Sequence, residues 1–441
     1  MDMQDTLEKT LVLCEKKGAE GEVYGVERQE IIVTVERNDI MLCIKQKSAG
    51  IGVRTVVDRS VGFSCCNTLD FAAITEAVET SVKMSKRSNP LLWSPLAVPG
   101  SYPEIEGLFD DEMLSFSEED AISAAQRMIH AAAEDPQVTV DSGEFNVTLR
   151  TQAVCTSRGI SAIEKKSAVS WYMIGIARKN RDVGSFEYVY GCTPRVRDIY
   201  VEDSGSELSH RAAANLSPQK VEPFRGDIIL GPDAVSALVG DPLISALNAN
   251  NAQRGQSVLA GRKGDVLTSE VVTIKDDATV KGDFNSSAFD REGSPHQAVT
   301  LVERGVLTTF LYDALAAHRE TTVSTGNAIG TFRETPKIGI TNFLISPGMH
   351  DVDALVEETE KGLLVPRFSG TADHISGDFS GALKGAQLIS SGEIKNPVKE
   401  VAIAGNVYEL LTKITAISKD RARFPRMVLP HMRVEDMGIT A

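Results

Sequence analysis

The sequence predicts an α+β fold built mainly from antiparallel sheets with a few flanking helices. Short runs of alternating apolar and polar residues, each bounded by turn residues, recur along the 441 residues and are typical of antiparallel strands. Helical patterns are few, and they do not alternate regularly with strands as they would in a doubly wound parallel sheet. We therefore expect two lobes in the N-terminal half and a strand-rich C-terminal domain.

The first α+β lobe is predicted at residues 1–88, where a helix near the N-terminus precedes several alternating runs. Gly50 and Gly52 lie inside one of these strand patterns. We interpret them as a bulge or a close backbone approach rather than a phosphate-binding loop. A second helix is expected from about Leu69 to Lys86, with Asn67 or Thr68 as its N-cap.

Residues 105–215 are predicted to form a second α+β lobe, separated from the first by a proline-rich connector. Ser117 is the expected N-cap of a helix whose first turn is acidic, which complements the helix dipole. Strand patterns follow up to residue 194. Because this order roughly echoes that of the first lobe, a weak internal duplication is one interpretation, and an unrelated second lobe is the other.

The C-terminal domain is predicted over residues 222–441 and is rich in strands. Gly231-Pro232-Asp233 is a strong helix start, because proline suits the first helical position. A further helix is expected from about Asp351 to Gly362. Ser391-Gly392 is a turn pair, and Val398 to Ile403 has the pattern of a strand.

Composition excludes several classes of protein. The net charge of −15 and an aromatic content of 6% argue against nucleic-acid binding. No apolar run approaches the roughly 18 residues that a membrane span needs, and the N-terminus does not have the pattern of a signal peptide. The six cysteines contain no CxxC pair, so reduced thiols are expected. These features predict a cytoplasmic protein that binds neither nucleic acid nor membranes.

Polar side chains that could carry chemistry are sparse. The seven histidines never occur in pairs three or four residues apart, as metal-binding helices require. Asp373, His374 and Asp378 form the nearest cluster, in a glycine- and serine-rich loop where such residues usually serve turn geometry. We retain these three as candidates for peptide binding. Asp276-Asp277 and Asp290 are interpreted as hairpin ends with solvated charges.

Several segments of the C-terminal half occur in an order and spacing that resemble the TldD/PmbA (TldD/TldE) family, whose members have been called modulators of DNA gyrase. These segments are Val271 to Asp277, Phe289 to Pro295, Val299 to Asp313, Gly326 to Ala328, Pro336 to Asn342 and Ser390 to Leu411. The resemblance covers roughly residues 225–415. It implies zinc-dependent hydrolysis of peptides by a two-subunit assembly.

The catalytic members of this family carry HExxxH on a helix, where two histidines bind zinc and the glutamate can act as a general base. This chain contains no HExxxH, and the corresponding positions are Gly240, Asp241 and Ser245. The cysteine that resembles a third ligand is also absent, because residues 418–425 are SKDRARFP. The resemblance therefore implies a TldE/PmbA-type subunit with no catalytic residues, metal or cofactor of its own.

Three functions remain open, and with them whether the chain is itself an enzyme. It could pair with an HExxxH-bearing TldD-type subunit, which would hold the zinc, and complete a chamber for extended peptides. It could be a self-sufficient homodimeric peptidase with a rearranged site, for which Asp241, Asp373, His374 and Asp378 are the candidates. It could also be a non-enzymatic regulatory binding protein, as the gyrase label implies.

Overall fold

A computed structural model of the chain describes residues 2–441, and its first part folds into helices and antiparallel strands as predicted, although the strands are longer than the expected short runs. The elements are α1 (Met3–Lys16), β1 (Glu20–Glu36), β2 (Asp39–Val57), β3 (Ser60–Cys66) and α2 (Phe71–Ser85). Helix α2 begins later than expected, because the side chain of Asp70 accepts hydrogen bonds from the backbone N–H groups of Ala72 and Ala73. The predicted cap at Asn67 or Thr68 is therefore wrong.

The next part of the chain repeats this order of elements. Its elements are α3 (Glu118–Ala132), β4 (Val138–Thr156), β5 (Ser161–Lys179), β6 (Asp182–Val183), β7 (Glu187–Thr193) and α4 (Val201–Ala214), with short 3-10 helices at Asp111–Leu114 and Val196–Asp198. Ser117 caps α3 in a reciprocal capping box with Asp120, as its sequence position predicts. Apart from the two-residue β6, both parts follow the order helix, three strands, helix, which supports the duplication.

Strands from both parts form one seven-stranded sheet, in the order β3-β2-β1-β4-β5-β6, with β7 also paired to β5. The two predicted lobes therefore share a central pair of long strands, β1 and β4. Odd-numbered residues of β1, such as Val23 and Val33, are buried beneath the four helices. The opposite face, which carries the even-numbered residues, is partly covered by the C-terminal domain.

The C-terminal domain begins with a strand and a short helical region and continues mainly as strands. Its elements are β8 (Phe224–Leu230), α5 (Pro232–Val235), a π-helical turn (Ser236–Gly240), α6 (Asp241–Ala246), α7 (Ala249–Gln253), β9 (Ile274–Asp277), β10 (Ala298–Glu303), β11 (Val306–Leu307), α8 (Ala314–Arg319), β12 (Ala328–Ile329), β13 (Lys337–Ile338), β14 (Phe343–Ile345), α9 (Val352–Glu357), β15 (Lys361–Val365), β16 (Arg367–Ala372), β17 (Asp378–Lys384), β18 (Gln387–Ser390), β19 (Glu393–Pro397), β20 (Ala402–Asn406), α10 (Val407–Thr412), β21 (Ile414–Arg423) and β22 (Met427–Ile439). The helix expected from Asp351 to Gly362 is shorter, because the chain re-enters the sheet at Lys361. The strand expected at Val398 begins at Ala402.

Most of these strands form a ten-stranded sheet in the order β11-β10-β9-β14-β22-β8-β15-β18-β19, with β21 paired to β22. Two pairs, β14 with β22 and β8 with β15, are parallel, and the others are antiparallel. Smaller sheets contain β16-β17-β20 and β12-β13. The predicted class, α+β with mainly antiparallel sheets, is confirmed. Within residues 2–441 no helix has the length and apolar character to cross a membrane.

Candidate functional site

The C-terminal domain approaches the open face of the N-terminal sheet at two glycines of β2. A Cβ atom on Gly50 would lie 2.2 Å from the ring of Phe332, and one on Gly52 would lie 2.5 Å from the carbonyl oxygen of Phe332. Side chains cannot be accommodated at such distances, so glycine is required for this approach. The bulge that the sequence left open is not found, because β2 pairs with β1 in regular register through both glycines.

A network of buried charged side chains lies beside this contact. Arg54 donates a hydrogen bond to Glu22 and another, of 2.8 Å, to Glu292. Arg291 donates a hydrogen bond of 3.0 Å to the other carboxylate oxygen of Glu22, and its guanidinium lies 4.0 Å from the ring centre of Tyr24. None of the four charged side chains is more than 7% exposed. Paired charges thus connect the C-terminal domain to the sheet, and the pairing offsets their desolvation.

Two carboxyl groups of this network have strongly raised pKa values. Burial raises the pKa of Asp290 to about 7, although three backbone N–H groups donate hydrogen bonds to it and favour the charged form. Burial also raises the pKa of Glu292 to about 8; Arg54 opposes this shift, and the charges of Asp313 and Glu22 add to it. Both groups therefore release their protons at a higher pH than ordinary carboxyl groups do.

The structure corrects the interpretation of two aspartates as solvated hairpin ends. Asp276 is 1% exposed and Asp290 is 3% exposed. Asp276 accepts hydrogen bonds from the side chains of Asn327 and Thr341, and burial raises its pKa to about 6. The prediction failed because the groups that surround these carboxyls come from distant parts of the chain.

The buried network was missed, although the sequence contains a signal for it. Glu22 and Arg54 each stand within an apolar strand pattern, EVYGV and IGVRTVV. A charged residue in such a pattern is rarely buried without a partner of opposite charge. The pattern could therefore have predicted a buried pair, but not that Arg291 and Glu292 would complete it.

A cleft with a mostly positive lining lies next to the network, between the sheet and the C-terminal domain. A cavity of about 520 Å³ is lined by Arg28 and Arg150 of the sheet and by Arg333, Lys337 and Arg426 of the domain. A cavity of about 100 Å³ adjoins it and shares Arg150 and Arg426. We call these two joined cavities the cationic cleft. Its charge contrasts with the net charge of −15 of the whole chain.

Arg28, Arg150 and Lys166 form a row across three neighbouring strands of this cleft. Arg28 lies directly opposite Arg150 in the β1–β4 pair, and Arg150 lies directly opposite Lys166 in the β4–β5 pair. Burial lowers the pKa of Lys166 to about 8; Glu164 opposes the shift, and Arg150 and Arg426 add to it. Like charges directly opposite each other destabilise a sheet. The row is therefore a candidate for binding rather than for stability.

The positions that the resemblance assigns to the family's zinc motif lie where a π-helical turn meets α6. Gly240 is buried, and a Cβ atom there would lie 3.2 Å from Sδ of Met427. Ser245 accepts hydrogen bonds from the side-chain amide of Asn251, of 2.9 Å at its carbonyl and 3.4 Å at its hydroxyl. Asp241 begins α6; partial burial of its carboxyl raises its pKa, and nearby His374 lowers it.

This set of side chains does not fit a catalytic zinc ion. Glycine has no side-chain donor, the hydroxyl of Ser245 is a poor ligand, and Asp241 is a single carboxylate. Zinc sites in proteins use three or four nitrogen, sulfur or oxygen ligands. Among residues 2–441, no group of three or more His, Cys, Asp and Glu side chains is placed to hold a metal ion.

The three candidates for peptide binding lie on the exposed connection between β16 and β17. Asp373 accepts hydrogen bonds from two backbone N–H groups of its own turn. Asp378 accepts one of 2.9 Å from the side chain of Asn406. These bonds stabilise the turn, whereas His374 is close enough to Asp241 to influence its pKa. The structure thus shows an electrostatic effect of His374 on Asp241, and peptide binding by the loop remains a prediction.

Family models match most of the chain in three parts. PmbA/TldA metallopeptidase domain 1 matches residues 21–85, the central domain matches 111–216, and the C-terminal domain matches 223–441. The sheet shared by the first two parts and the separate C-terminal domain therefore have counterparts in that family.

Individual proteins are similar over nearly the full length. An uncharacterized protein of Methanocaldococcus jannaschii is 31% identical, with 92% of each chain covered. The metalloprotease PmbA of Escherichia coli O157:H7 is 22% identical over 98% of this chain and 96% of that protein. The crystal structure of TldE from Thermococcus kodakarensis matches with a TM-score of 0.93 and 25% identity, over 99% of this chain and 100% of that one.

Proposed function

We propose that this chain, which belongs to the PmbA/TldD metallopeptidase family, is the zinc-free subunit of a two-subunit peptidase. Its partner is a homologous TldD-type subunit that carries HExxxH and the zinc ion. Its own role is to complete the chamber in which unfolded peptides are degraded or processed. The structural likeness to TldE supports this assignment.

One observation carries the proposal: the segment in the place of the zinc-binding helix lacks metal-binding side chains. By the resemblance, Gly240 and Ser245 take the places of the two histidines, and Asp241 takes that of the general base. Residues 418–425, where the resemblance places the third zinc ligand, contain no cysteine. There the hydroxyl of Ser418 donates to the carbonyl of Asp420 and accepts from the backbone N–H of His431.

Binding of an extended peptide requires no catalytic side chain in this subunit. Strand β16 is an edge of the small sheet β16-β17-β20, and its Ser369, Gly370 and Thr371 are exposed. A peptide can add to such an edge through backbone hydrogen bonds. The edge leads into the loop of Asp373, His374 and Asp378, so we propose that this part of the domain faces the peptide chamber.

The proposed location is the cytoplasm, and this rests on the state of the cysteines. All six are free thiols, and three of them, Cys14, Cys155 and Cys192, are buried. Burial raises the pKa of the Cys14 thiol to about 12, so this group stays protonated and unreactive. Such cysteines are usual in a reducing compartment.

The test mixes this chain with an HExxxH-bearing homologue and measures complex formation and peptide cleavage together. We expect a stable complex, cleavage of unfolded peptides only when both chains are present, and zinc bound in the partner alone. A partner in which the HExxxH glutamate is replaced by glutamine is the matched control. It should form the complex and cleave nothing, because only the general base is lost.

A self-sufficient homodimeric peptidase is the second candidate, and the electrostatic effect of His374 on the pKa of Asp241 favours it. In that case this chain alone would cleave peptides, and Asp241→Asn or His374→Ala would abolish the cleavage. The zinc-free role would be overturned by stoichiometric zinc in this chain together with cleavage that a chelator stops. If only gyrase is captured and no TldD-type subunit is bound, the regulatory role replaces both.

A further inference from the structure

We propose that the cationic cleft binds the carboxylates of an acidic peptide in an extended conformation. The inference rests on the proposed function only for the choice of a peptide, because the charge cluster belongs to this chain alone. Arg28, Arg150 and Lys166 form one wall, and Arg426 and Arg333 lie on the facing domain. Three features of the cleft support this: its unbalanced charge, an unsatisfied donor and its dimensions.

The charges that line the cleft are unbalanced. Seven arginines and lysines line the two cavities, against two carboxylates, Asp290 and Glu334. Glu334 already accepts hydrogen bonds from Lys337 and from the backbone N–H of Thr331, and Asp290 accepts from three backbone N–H groups. Within the described residues, Arg150, Lys166 and Arg426 form no ion pair. A bound anion would neutralise them.

Arg150 also has an unsatisfied donor at the point where the two cavities meet. Its Nη2 donates a hydrogen bond of 2.6 Å to the hydroxyl of Tyr24. Its Nε is buried and has no hydrogen-bond partner. Buried donors are nearly always paired with protein, water or ligand, so this N–H is available to an acceptor in the cleft. A carboxylate is the planar acceptor that arginine binds best.

The dimensions favour a chain of carboxylates over a single small ion. Neighbouring strands lie about 4.8 Å apart, so the row Arg28, Arg150 and Lys166 is about 10 Å long, and one phosphate or carboxylate cannot reach all of it. The larger cavity also contains Val26, Ile329 and Phe332, which suit the aliphatic atoms of a peptide. Phe332 is the only aromatic residue that lines the larger cavity, and Tyr24 and Phe289 of the smaller cavity are buried. Single-stranded nucleic acid is usually bound on several accessible aromatic rings.

The test measures fluorescence anisotropy of a labelled peptide of alternating glutamate and alanine with this chain alone. The matched probe has glutamine in place of glutamate. We expect the acidic peptide to bind at least about tenfold more tightly at low salt, and the difference to shrink as added salt screens the charges. The double variant Arg28→Gln/Arg426→Gln should bind the acidic peptide about tenfold or more weakly, because charge-assisted hydrogen bonds are lost.

The control is Lys220→Gln/Lys281→Gln, which removes the same charge from exposed ion pairs with Glu400 and Glu106, outside the cleft. It should bind like the parent chain, and urea unfolding of both double variants verifies that they are folded. The proposal is overturned if the glutamine peptide binds equally well, or if the control variant loses as much affinity. It is also overturned if inorganic phosphate or a single-stranded oligonucleotide competes at an equal or lower concentration. Because no partner subunit is present, these outcomes are separate from those of the mixing experiment.

Discussion

Two clusters on the same face of the N-terminal sheet contain the same kinds of side chain but differ in how these are paired. Around Glu22 and Arg54, each cation is within hydrogen-bond distance of a carboxylate, and the whole cluster is buried. A few residues further along β1, Arg28 lies opposite Arg150, and Arg150 lies opposite Lys166. Arg28 has one half-exposed ion pair, with Glu30, and within the described residues Arg150 and Lys166 have none.

The difference separates a structural contact from a binding surface. In the buried network the charges compensate one another across the junction with the C-terminal domain, so removal of either sign leaves the other unpaired and desolvated. In the cationic row the charges repel one another. Removal of one charge should therefore reduce this repulsion without a loss of stability, and should weaken only the binding of a ligand to the cleft. Each of the following predictions tests this contrast.

The largest effect is expected for Glu22→Gln, which removes the carboxylate shared by Arg54 and Arg291. The free energy of unfolding should fall by about 3–5 kcal/mol, because two buried guanidinium groups lose a charged partner. The midpoint of urea unfolding measures the change. The control is Glu20→Gln, two residues away, whose exposed ion pair with Arg158 should contribute no more than about 1 kcal/mol. Equal effects of the two changes would contradict the contrast.

A smaller loss is expected for Gly50→Ala, which places a methyl group against the ring of Phe332. Overpacking of this kind costs about 1–3 kcal/mol, again measured by urea unfolding. Gly438→Ala is the control, because the nearest atom to a Cβ there lies 3.9 Å away. Phe332→Ala should cost less in the Gly50→Ala background than in the parent chain. If the free-energy changes of Gly50→Ala and Phe332→Ala are simply additive, contact with the Phe332 ring is not the reason that glycine is required at position 50.

The stability of the chain should fall as the pH rises from 6.5 to 8. In this range the folded chain holds protons on Asp290 and Glu292, with pKa values of about 7 and 8. The unfolded chain has already released them, since ordinary values are about 4. Buried His296 and His431, with pKa values of about 3 and 4, stay neutral in the folded chain. The unfolded chain releases their protons around pH 6.5, which offsets part of the loss at the lower end of the range. The loss is at most about 1.4 kcal/mol per pH unit for each group.

The measurement compares urea midpoints at the two pH values for the parent chain and for Glu292→Gln. The variant should lose part of the dependence, because its side chain no longer titrates. Toward the upper end of this range and above it, Lys166 acts in the opposite sense, because its pKa in the folded chain is lowered to about 8. A pH dependence that is unchanged in the variant would show that Glu292 does not titrate in this range.

The smallest effect is expected for Arg28→Gln in the cationic row. The free energy of unfolding should change by no more than about 0.5 kcal/mol, or rise slightly, because repulsion by Arg150 is relieved. Arg54→Gln, the same substitution in the buried network, is the direct comparison and should be strongly destabilising. A large loss of stability for Arg28→Gln would mean that the row is structural after all.

Local features of the fold could be predicted from the sequence because they depend on neighbouring residues. The capping box of Ser117 and Asp120 depends on residues that lie within four positions of the sequence. The turn at Arg37 and Asn38 is marked by residues that tolerate the left-handed backbone found there, with φ of 52° and 62°. The absence of HExxxH is likewise visible in the sequence itself.

Features that depend on distant segments could not be predicted. The hydrogen bond between Arg291 and Glu22 joins residues that are 269 positions apart, and no local pattern marks Glu292 as buried. The pairing of Arg28 with Arg150 depends on the register of β1 and β4, which the sequence alone does not define. For the same reason the two lobes were expected as separate units, although their strands form a single sheet.

The shared strand pair β1 and β4 has a practical consequence for dissection of the protein. A fragment of residues 105–215 would contain complete α3 and α4, yet it would expose the edge of β4 that β1 covers from Glu22–Thr156 to Glu36–Ser142. A long bare strand edge recruits other strands and leads to aggregation. The boundary between the first two family domains therefore does not separate two parts that we expect to be soluble on their own. A fragment should contain the whole sheet.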